Sequence, residues 1–214
     1  MSDTPIADRT IGDYLKALAS SAPAPGGGSV AGLVGALSAA LGQMVISLTD
    51  RRSDPHPELD TVREALERHR DVCLEGSQTD EHAYSGYVSA TKLPKGTTEE
   101  KAARRDAMQA ALLDSANAPL ALTGTSLELL GDLETVIQNG SSHVLSDAEI
   151  ATTLAYASVT VGLVNVRVNI PLIKDTDRAR SLTAAADDIE HRATEALRRC
   201  RERLQERRQA SKVG

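Results

Sequence analysis

Between Lys16 and Asp50 the chain carries no charge, and three consecutive glycines there open a run of small residues, PAPGGGSVAGLVGALSAALGQMVISLT over 23–49. A helix with no charge on any side must be buried all round, as the central member of a bundle or at a subunit contact. Gly28, Ala31, Gly32, Gly35 and Ala39 recur at close helical spacings, which leaves one side shallow enough for another helix to approach. The glycines ahead of it bare their backbone amides, and Ser29 stands where it can cap the helix. The stretch therefore reads as a binding loop joined to a packing element. Neither phosphate-binding signature, GxxxxGK or GxGxxG, is present, which disfavours a nucleotide loop. Glycine, alanine, Ser29, Ser38, Gln43, Ser47 and Thr49 also dilute the apolar residues too far for a lipid-facing helix, so no membrane span is expected.

A second charge-free stretch, Ile150 to Val166, matches the first in character. Two such helices predict an inner layer, and the charged segments around them predict its cover. The chain has no Trp, no Phe and only four Tyr in 214 residues, so the core must be built from Leu, Ala, Val and Ile, which favours closely packed helices over sheets. Helices are predicted from Ile11 to Ala19 behind Thr10, from Val30 to Leu48, and from Glu58 to Leu93 after a break at Pro55 and Pro57. Further helices run from Ala102 to Ala118, with Pro119 kinking the chain or starting a new helix toward Ile137, and onward from Ser146. Beyond Pro171 a charged terminal helix or pair of helices follows. No second domain boundary and no repeat is visible, so residues 1–214 are read as one all-α bundle, paired as a homodimer through a small-residue face.

The net charge of −6, without an aromatic-laced basic patch, argues against nucleic acid as a partner. Cys73 and Cys200 have neither metal-ligand spacing nor a disulfide framework, and the N-terminus MSDTPIADRT does not read as a signal peptide, so a reducing, cytoplasmic setting is expected.

Three polar groupings stand out. Asp80, Tyr84 and Tyr87 share one side of a helix, with Lys92 and Lys95 beyond it. His143 and Asp147 flank a helix start at Ser146, where an acid is stabilised by the helix dipole. Asn165 and Asn169 lie one turn apart near the end of an otherwise apolar helix, where their amides need partners, from backbone or from a polar heterocycle. No metal site is expected: the acids and His191 between Asp187 and Glu195 read as salt-bridging, and His69 with Cys73 lacks a third ligand. Chemistry on this chain would use carboxylates, lysine or histidine as acids and bases.

The motifs also carry a resemblance. The stretch at 23–49, the Asp80, Ala83, Tyr84 group leading into ATKLPKGTTEEKAARRDAMQAAL at 90–112, APL at 118–120, SDAEIA at 146–151 and GLVNVRVNIPLIKD at 162–175 together resemble the formiminotransferase-cyclodeaminase C-terminal family, in order over nearly the whole chain. That family holds cyclodeaminase domains and methenyltetrahydrofolate cyclohydrolases. The resemblance implies an all-helical dimeric fold and a pocket for a tetrahydrofolate derivative, bound as substrate with no tightly held cofactor. It makes Gly26, Gly27, Gly28 and Ser29 the substrate-side loop, Asp80 an acidic position and Lys92 and Lys95 basic positions. Asp147 matches the acid of the family's SDAG segment, and Asn165 and Asn169 its paired asparagines. Glu149 in place of Gly, Ser141-Ser142 in place of Asn-Pro and Asp50-Arg51-Arg52 in place of Gly-Lys-Lys depart from the pattern near the expected pocket.

On this resemblance, Asp147 or Asp80 handles a proton while the other orients the pterin or the attacking group. Lys92 assists or holds the substrate tail with Lys95, and Tyr84, His143, Ser146, Asn165 and Asn169 bind substrate. The absence of a formiminotransferase segment favours a cyclohydrolase, which adds water to 5,10-methenyltetrahydrofolate to give 10-formyltetrahydrofolate. A formiminotetrahydrofolate cyclodeaminase that releases ammonia and a helical dimer that binds a pterin-like ligand without turnover are the alternatives.

Overall fold

Thr10 opens the first helix by accepting the Asp13 N–H on its hydroxyl, and the chain is helical almost without interruption from there. The computed structural model describes residues 4–51 and 56–213, with side chains to 210. Its helices are α1 (Ile11–Leu18), α2 (Gly27–Asp50), α3 (Pro57–Thr91), α4 (Thr98–Asn139), α5 (Leu145–Asn169) and α6 (Thr176–Val213). Short 3-10 turns precede α1 and α5 and follow α5, and no strand occurs among the described residues. Of the predicted break before α3, Pro55 lies outside the described residues, as does Arg52; Pro57 is the first residue of α3, where a missing N–H costs nothing. Thr97 and Glu100 form a reciprocal capping box at the start of α4.

The two charge-free helices are neighbours. α2 lies between α3 and α5, α4 runs behind them, and α6 covers α4 and α5. α2 and α5 are antiparallel: Gly27 meets Asn165, the Ser158 hydroxyl donates to the Ala31 carbonyl at 2.8 Å, and the Ser38 hydroxyl to the Ala151 carbonyl at 2.7 Å. Serines serve here because each donates to a carbonyl across the contact while its small volume lets the helices close up. The main core gathers Ile46, Leu66, Leu130, Leu133, Ile137 and Val159, each essentially fully buried. Each such side chain contributes about 1.5–3 kcal/mol by leaving water. Cys73 and Cys200 are buried as free thiols, and loss of hydration pushes their pKa up to about 11 and about 12.

Several local expectations are corrected. α2 starts at Gly27 on a glycine N-cap, so Ser29 sits inside the first turn and its buried hydroxyl bonds Tyr14 and Ser77 instead of capping. The small-residue face of α2 is used up within the chain. A Cβ on Gly32 would stand 2.5 Å from the Cys73 carbonyl, and one on Gly35 would stand 2.8 Å from the Cys73 Sγ and 3.0 Å from the Ser158 Oγ. That face therefore grips α3 and α5 and is not the route to a second subunit. Ser146 lies in the first turn of α5, whose N-cap is Val144. Of the two readings open at Pro119 and again beyond Pro171, the continuous one holds in each case: α4 runs through Pro119 as one helix, and α6 is one helix.

By length and composition alone, Gly27–Asp50 and Ser142–Leu172 could each cross a bilayer, but 56% and 44% of their most apolar windows are buried inside the bundle. The remainder forms an outer wall. Leu37 and Met44 of α2 and Ile150, Val164 and Val168 of α5 are exposed on it.

Candidate functional site

At the end of the bundle where α2 begins and α5 ends, a cleft of about 390 Å³ opens between α2, α3, α4 and α5. Gly26, Gly27, Asp80, Tyr84, Asn165 and Asn169 contribute its polar lining, while Pro23, Leu112, Val168 and Leu172 contribute apolar walls. Its size and mixed lining suit a small molecule held by a few directed polar groups.

Asp80 reaches the cleft because its partner helix starts with glycine. A Cβ built on Gly28 would lie 2.0 Å from the Asp80 Oδ1, so any larger residue there would occupy the carboxylate's place. The carboxylate accepts the Ser29 backbone N–H and so covers the uncapped start of α2 from a neighbouring helix. Burial raises its pKa above the ordinary carboxylate value; the Ser29 N–H opposes this and the adjacent Glu81 charge adds to it. Asp80 is the only formally charged residue among those described in the lining, so it meets a ligand with little competition.

The two asparagines are held by backbone. Asn165 donates its amide to the Val161 carbonyl at 2.9 Å and packs under Gly27, where a Cβ would press to 3.3 Å. Asn169 donates to the Asn165 carbonyl at 2.8 Å and to the Ser115 carbonyl at 3.0 Å. The second of these bonds has its origin in Pro119. Proline has no N–H, so the Ser115 carbonyl four residues earlier loses its helical partner and accepts Asn169 instead. With both amide hydrogens so engaged, Asn169 offers a ligand its oxygen, an acceptor for an N–H donor. The Ser115 hydroxyl, on the same wall, is buried without a partner.

The structure thus brings Gly26, Gly27, Asp80, Tyr84, Asn165 and Asn169 together. Gly28 and Ser29 stand behind the wall as the support of Asp80. Lys92, which ends α3, and Lys95 are exposed outside the lining. His143, Ser146 and Asp147 lie at the opposite end of α5, eighteen residues or about 27 Å of helix from Asn165, so one chain does not unite Asp147 with Asp80. The described sequence departures, Asp50, Arg51, Ser141, Ser142 and Glu149, lie at that far end too, not beside the cleft. Glu149 pairs with Arg208 of α6, and the Ser141 N–H donates to the Thr49 hydroxyl at 2.8 Å. Leu112, Ser115, Val168 and Leu172 were not foreseen as lining; Pro119 was the available signal for Ser115.

Away from the cleft, Arg167 pairs with Asp187 and Glu190, Arg192 with Asp188, and Arg198 with Glu195, so the acids of α6 are salt-bridging as read. His69 pairs with Asp132 at 2.9 Å. Among the described residues no group of three or more His, Cys, Asp or Glu is placed to hold a metal ion.

A family model described as Formiminotransferase-cyclodeaminase matches residues 10–188. The chain is 37% identical to the methenyltetrahydrofolate cyclohydrolase of Methylorubrum extorquens, over 78% of this chain and 82% of that protein. It is 30% identical to the formimidoyltransferase-cyclodeaminase of Gallus gallus over 81% of this chain, and spans about a third (32%) of that longer protein. A crystal structure of formiminotetrahydrofolate cyclodeaminase from Thermotoga maritima superposes with a TM-score of 0.83 at 25% identity, covering 94% of this chain and 98% of that one.

Proposed function

We propose that this chain, which belongs to the formiminotransferase-cyclodeaminase family, is an enzyme that closes the ring of 5-formiminotetrahydrofolate to 5,10-methenyltetrahydrofolate with release of ammonia. The hydrolytic expectation is corrected. It is overturned by the solved Thermotoga chain named a cyclodeaminase, which this fold matches over 98% of that chain's length. The family description and the Gallus gallus relative side with deamination. The name of the Methylorubrum protein stays with that protein.

The observation that carries this reading is the desolvated Asp80 against the glycine start of α2, beside Asn165 and Asn169. In the reaction, N10 attacks the carbon of the protonated formimino group on N5, forming the N10–C bond and a tetrahedral centre. Asp80 takes the proton that N10 loses and delivers it to the departing nitrogen. The C–N bond breaks, ammonia leaves, and the positive charge of the amidinium passes to the methenyl product. A carboxylate whose pKa is raised by burial suits both halves of that transfer. The Asn169 oxygen accepts from an N–H of the pterin, and Tyr84 flanks the ring. Purified protein given 5-formiminotetrahydrofolate should form the methenyl chromophore and ammonia in equal amounts, and Asp80→Asn should form both about 10²–10⁴-fold more slowly. A wild-type protein with no acceleration would end this reading.

The assembly proposed is a homodimer across the wall of α2 and α5. Two adjacent helices of 24 and 25 residues present roughly 36 by 20 Å, close to the ~800 Å² per partner of a stable interface. Ser146, Ile150, Val164 and Val168 lie along one exposed stripe of α5, and Val168 also lines the cleft. An antiparallel second copy sets the Ser146 end of one α5 against the Val168 end of the other. That arrangement returns Asp147, His143 and Ser146 to a cleft, as groups lent by the partner.

A further inference from the structure

The segment before α2 is attached where Asp80 is held. The Ile6 N–H donates to the Gln78 Oε1 at 3.0 Å, the Arg9 guanidinium meets both Glu81 carboxylate oxygens at 3.1 and 3.0 Å, and the Tyr14 hydroxyl bonds the Ser29 Oγ at 3.1 Å. Ser29 in turn bonds Ser77 at 2.9 Å. Its contacts on α3 therefore fall within one turn of Asp80 on either side, and its contact on α2 is the residue whose N–H Asp80 accepts.

The Arg9–Glu81 pair is 6% and 5% exposed. A buried ion pair is seldom more stabilising than apolar residues of like volume, so attachment alone does not account for it. What an apolar pair could not supply is a compensated negative charge directly beside Asp80. We infer that Arg9 and Glu81 are positioning residues for Asp80, clamping the turn that carries it and fixing the net charge at its side. This rests on the reading of Asp80 as the proton carrier. The other groups facing Asp80 are Tyr14 of α1 and Tyr84 and Tyr87 of α3, while α2, α4 and α5 present Gly27, Gly28, Ser115, Asn165 and Asn169, all uncharged. Glu81 is thus the nearest like charge, and burial with that charge holds the Asp80 pKa up.

The test follows the Asp80 carboxyl carbon by NMR through a pH titration of the substrate-free protein, its signal identified by loss in Asp80→Asn. Glu81→Gln should lower the midpoint, because the like charge goes and Arg9 stays. Arg9→Gln should raise it, because Glu81 is left uncompensated. The double variant Arg9→Met with Glu81→Met should keep the segment attached and lower the midpoint, which covers the case in which Arg9→Gln unfolds. Tyr14→Phe removes one bond of the segment without touching charge and should leave the midpoint in place. Midpoints unmoved in the charge variants, or moved as far by Tyr14→Phe, would overturn the inference. In turnover assays the acid limb of kcat/KM should follow the NMR midpoint. A midpoint that moves while the limb stays leaves the clamp standing and removes Asp80 as proton carrier.

Discussion

The two ends of the α2–α5 pair are made from similar sequence and do different things. At each end a glycine-containing connection meets a helix start, with an acid close by. At the cleft end the α2 start has no side-chain cap, Asp80 comes from another helix to cover it, and space remains for a ligand. At the far end the α5 start likewise has no side-chain cap, but the residues around it are tied to one another. Thr49 takes the Ser141 N–H, Arg207 donates to the Ile137 and Gly140 carbonyls, Arg208 pairs with Glu149, and Asp147 sits in the first turn of α5 where the helix dipole favours it. A glycine and an acid at a helix start are therefore not a site in themselves. What separates the two ends within one chain is whether the surrounding helices leave a cleft beside the acid.

That contrast can be broken by experiment. The largest expected effect is on Asp80: Asp80→Asn should lower kcat/KM for ring closure by about 10²–10⁴-fold with the circular dichroism spectrum unchanged. Next comes Asp147→Asn, which should cost about 10²-fold if the far end serves the cleft of a partner. Mixing the Asp80→Asn and Asp147→Asn proteins should then restore about a quarter of the wild-type rate, since half the dimers are mixed and each has one intact cleft. No recovery on mixing would confine the far end to a structural role. Gly28→Ala comes third: the methyl displaces the carboxylate, and turnover should fall about tenfold.

Pro119→Ala should raise KM a few-fold at most, because the restored N–H competes with Asn169 for the Ser115 carbonyl; an unchanged KM would show that Asn169 keeps its place without that vacancy. The smallest effect is on stability. The folded-state pKa of Asp80 lies above its ordinary value, so the carboxylate destabilises the fold as pH rises through that window. Chemical denaturation should find Asp80→Asn slightly more stable than wild type at neutral pH, with the gain vanishing below the ordinary carboxylate range.

The helical layer structure was legible because absence of charge over two long stretches admits few solutions, and the caps at Thr10 and Thr97 announce themselves locally. Asn165 and Asn169 could be singled out because polar groups on an apolar helix need partners, and Asp80 and Tyr84 because they share one side of a helix. Where the reading failed, the deciding neighbour was distant in sequence. Ser29 looks like a cap until Tyr14 and Ser77 claim its hydroxyl. The small face of α2 suits a second subunit until α3 and α5 fill it. Asp147 and Asp80 look interchangeable on a list of acids, and only the length of α5 separates them. Arg9 and Glu81, seventy-two residues apart, left no mark in the sequence that would pair them.

The two buried thiols make the chain its own reporter. With pKa values raised to about 11 and about 12, neither Cys73 nor Cys200 has appreciable thiolate at neutral pH, so a labelling reagent reacts only when helices part. Cys73 lies where α3 grips α2, on the helix that carries Asp80, whereas the Cys200 Sγ faces the Leu130 carbonyl where α6 covers α4. Their separate alkylation rates time the loosening of the cleft side and of the outer layer in the unaltered protein. A ligand seated in the cleft should slow the first clock more than the second.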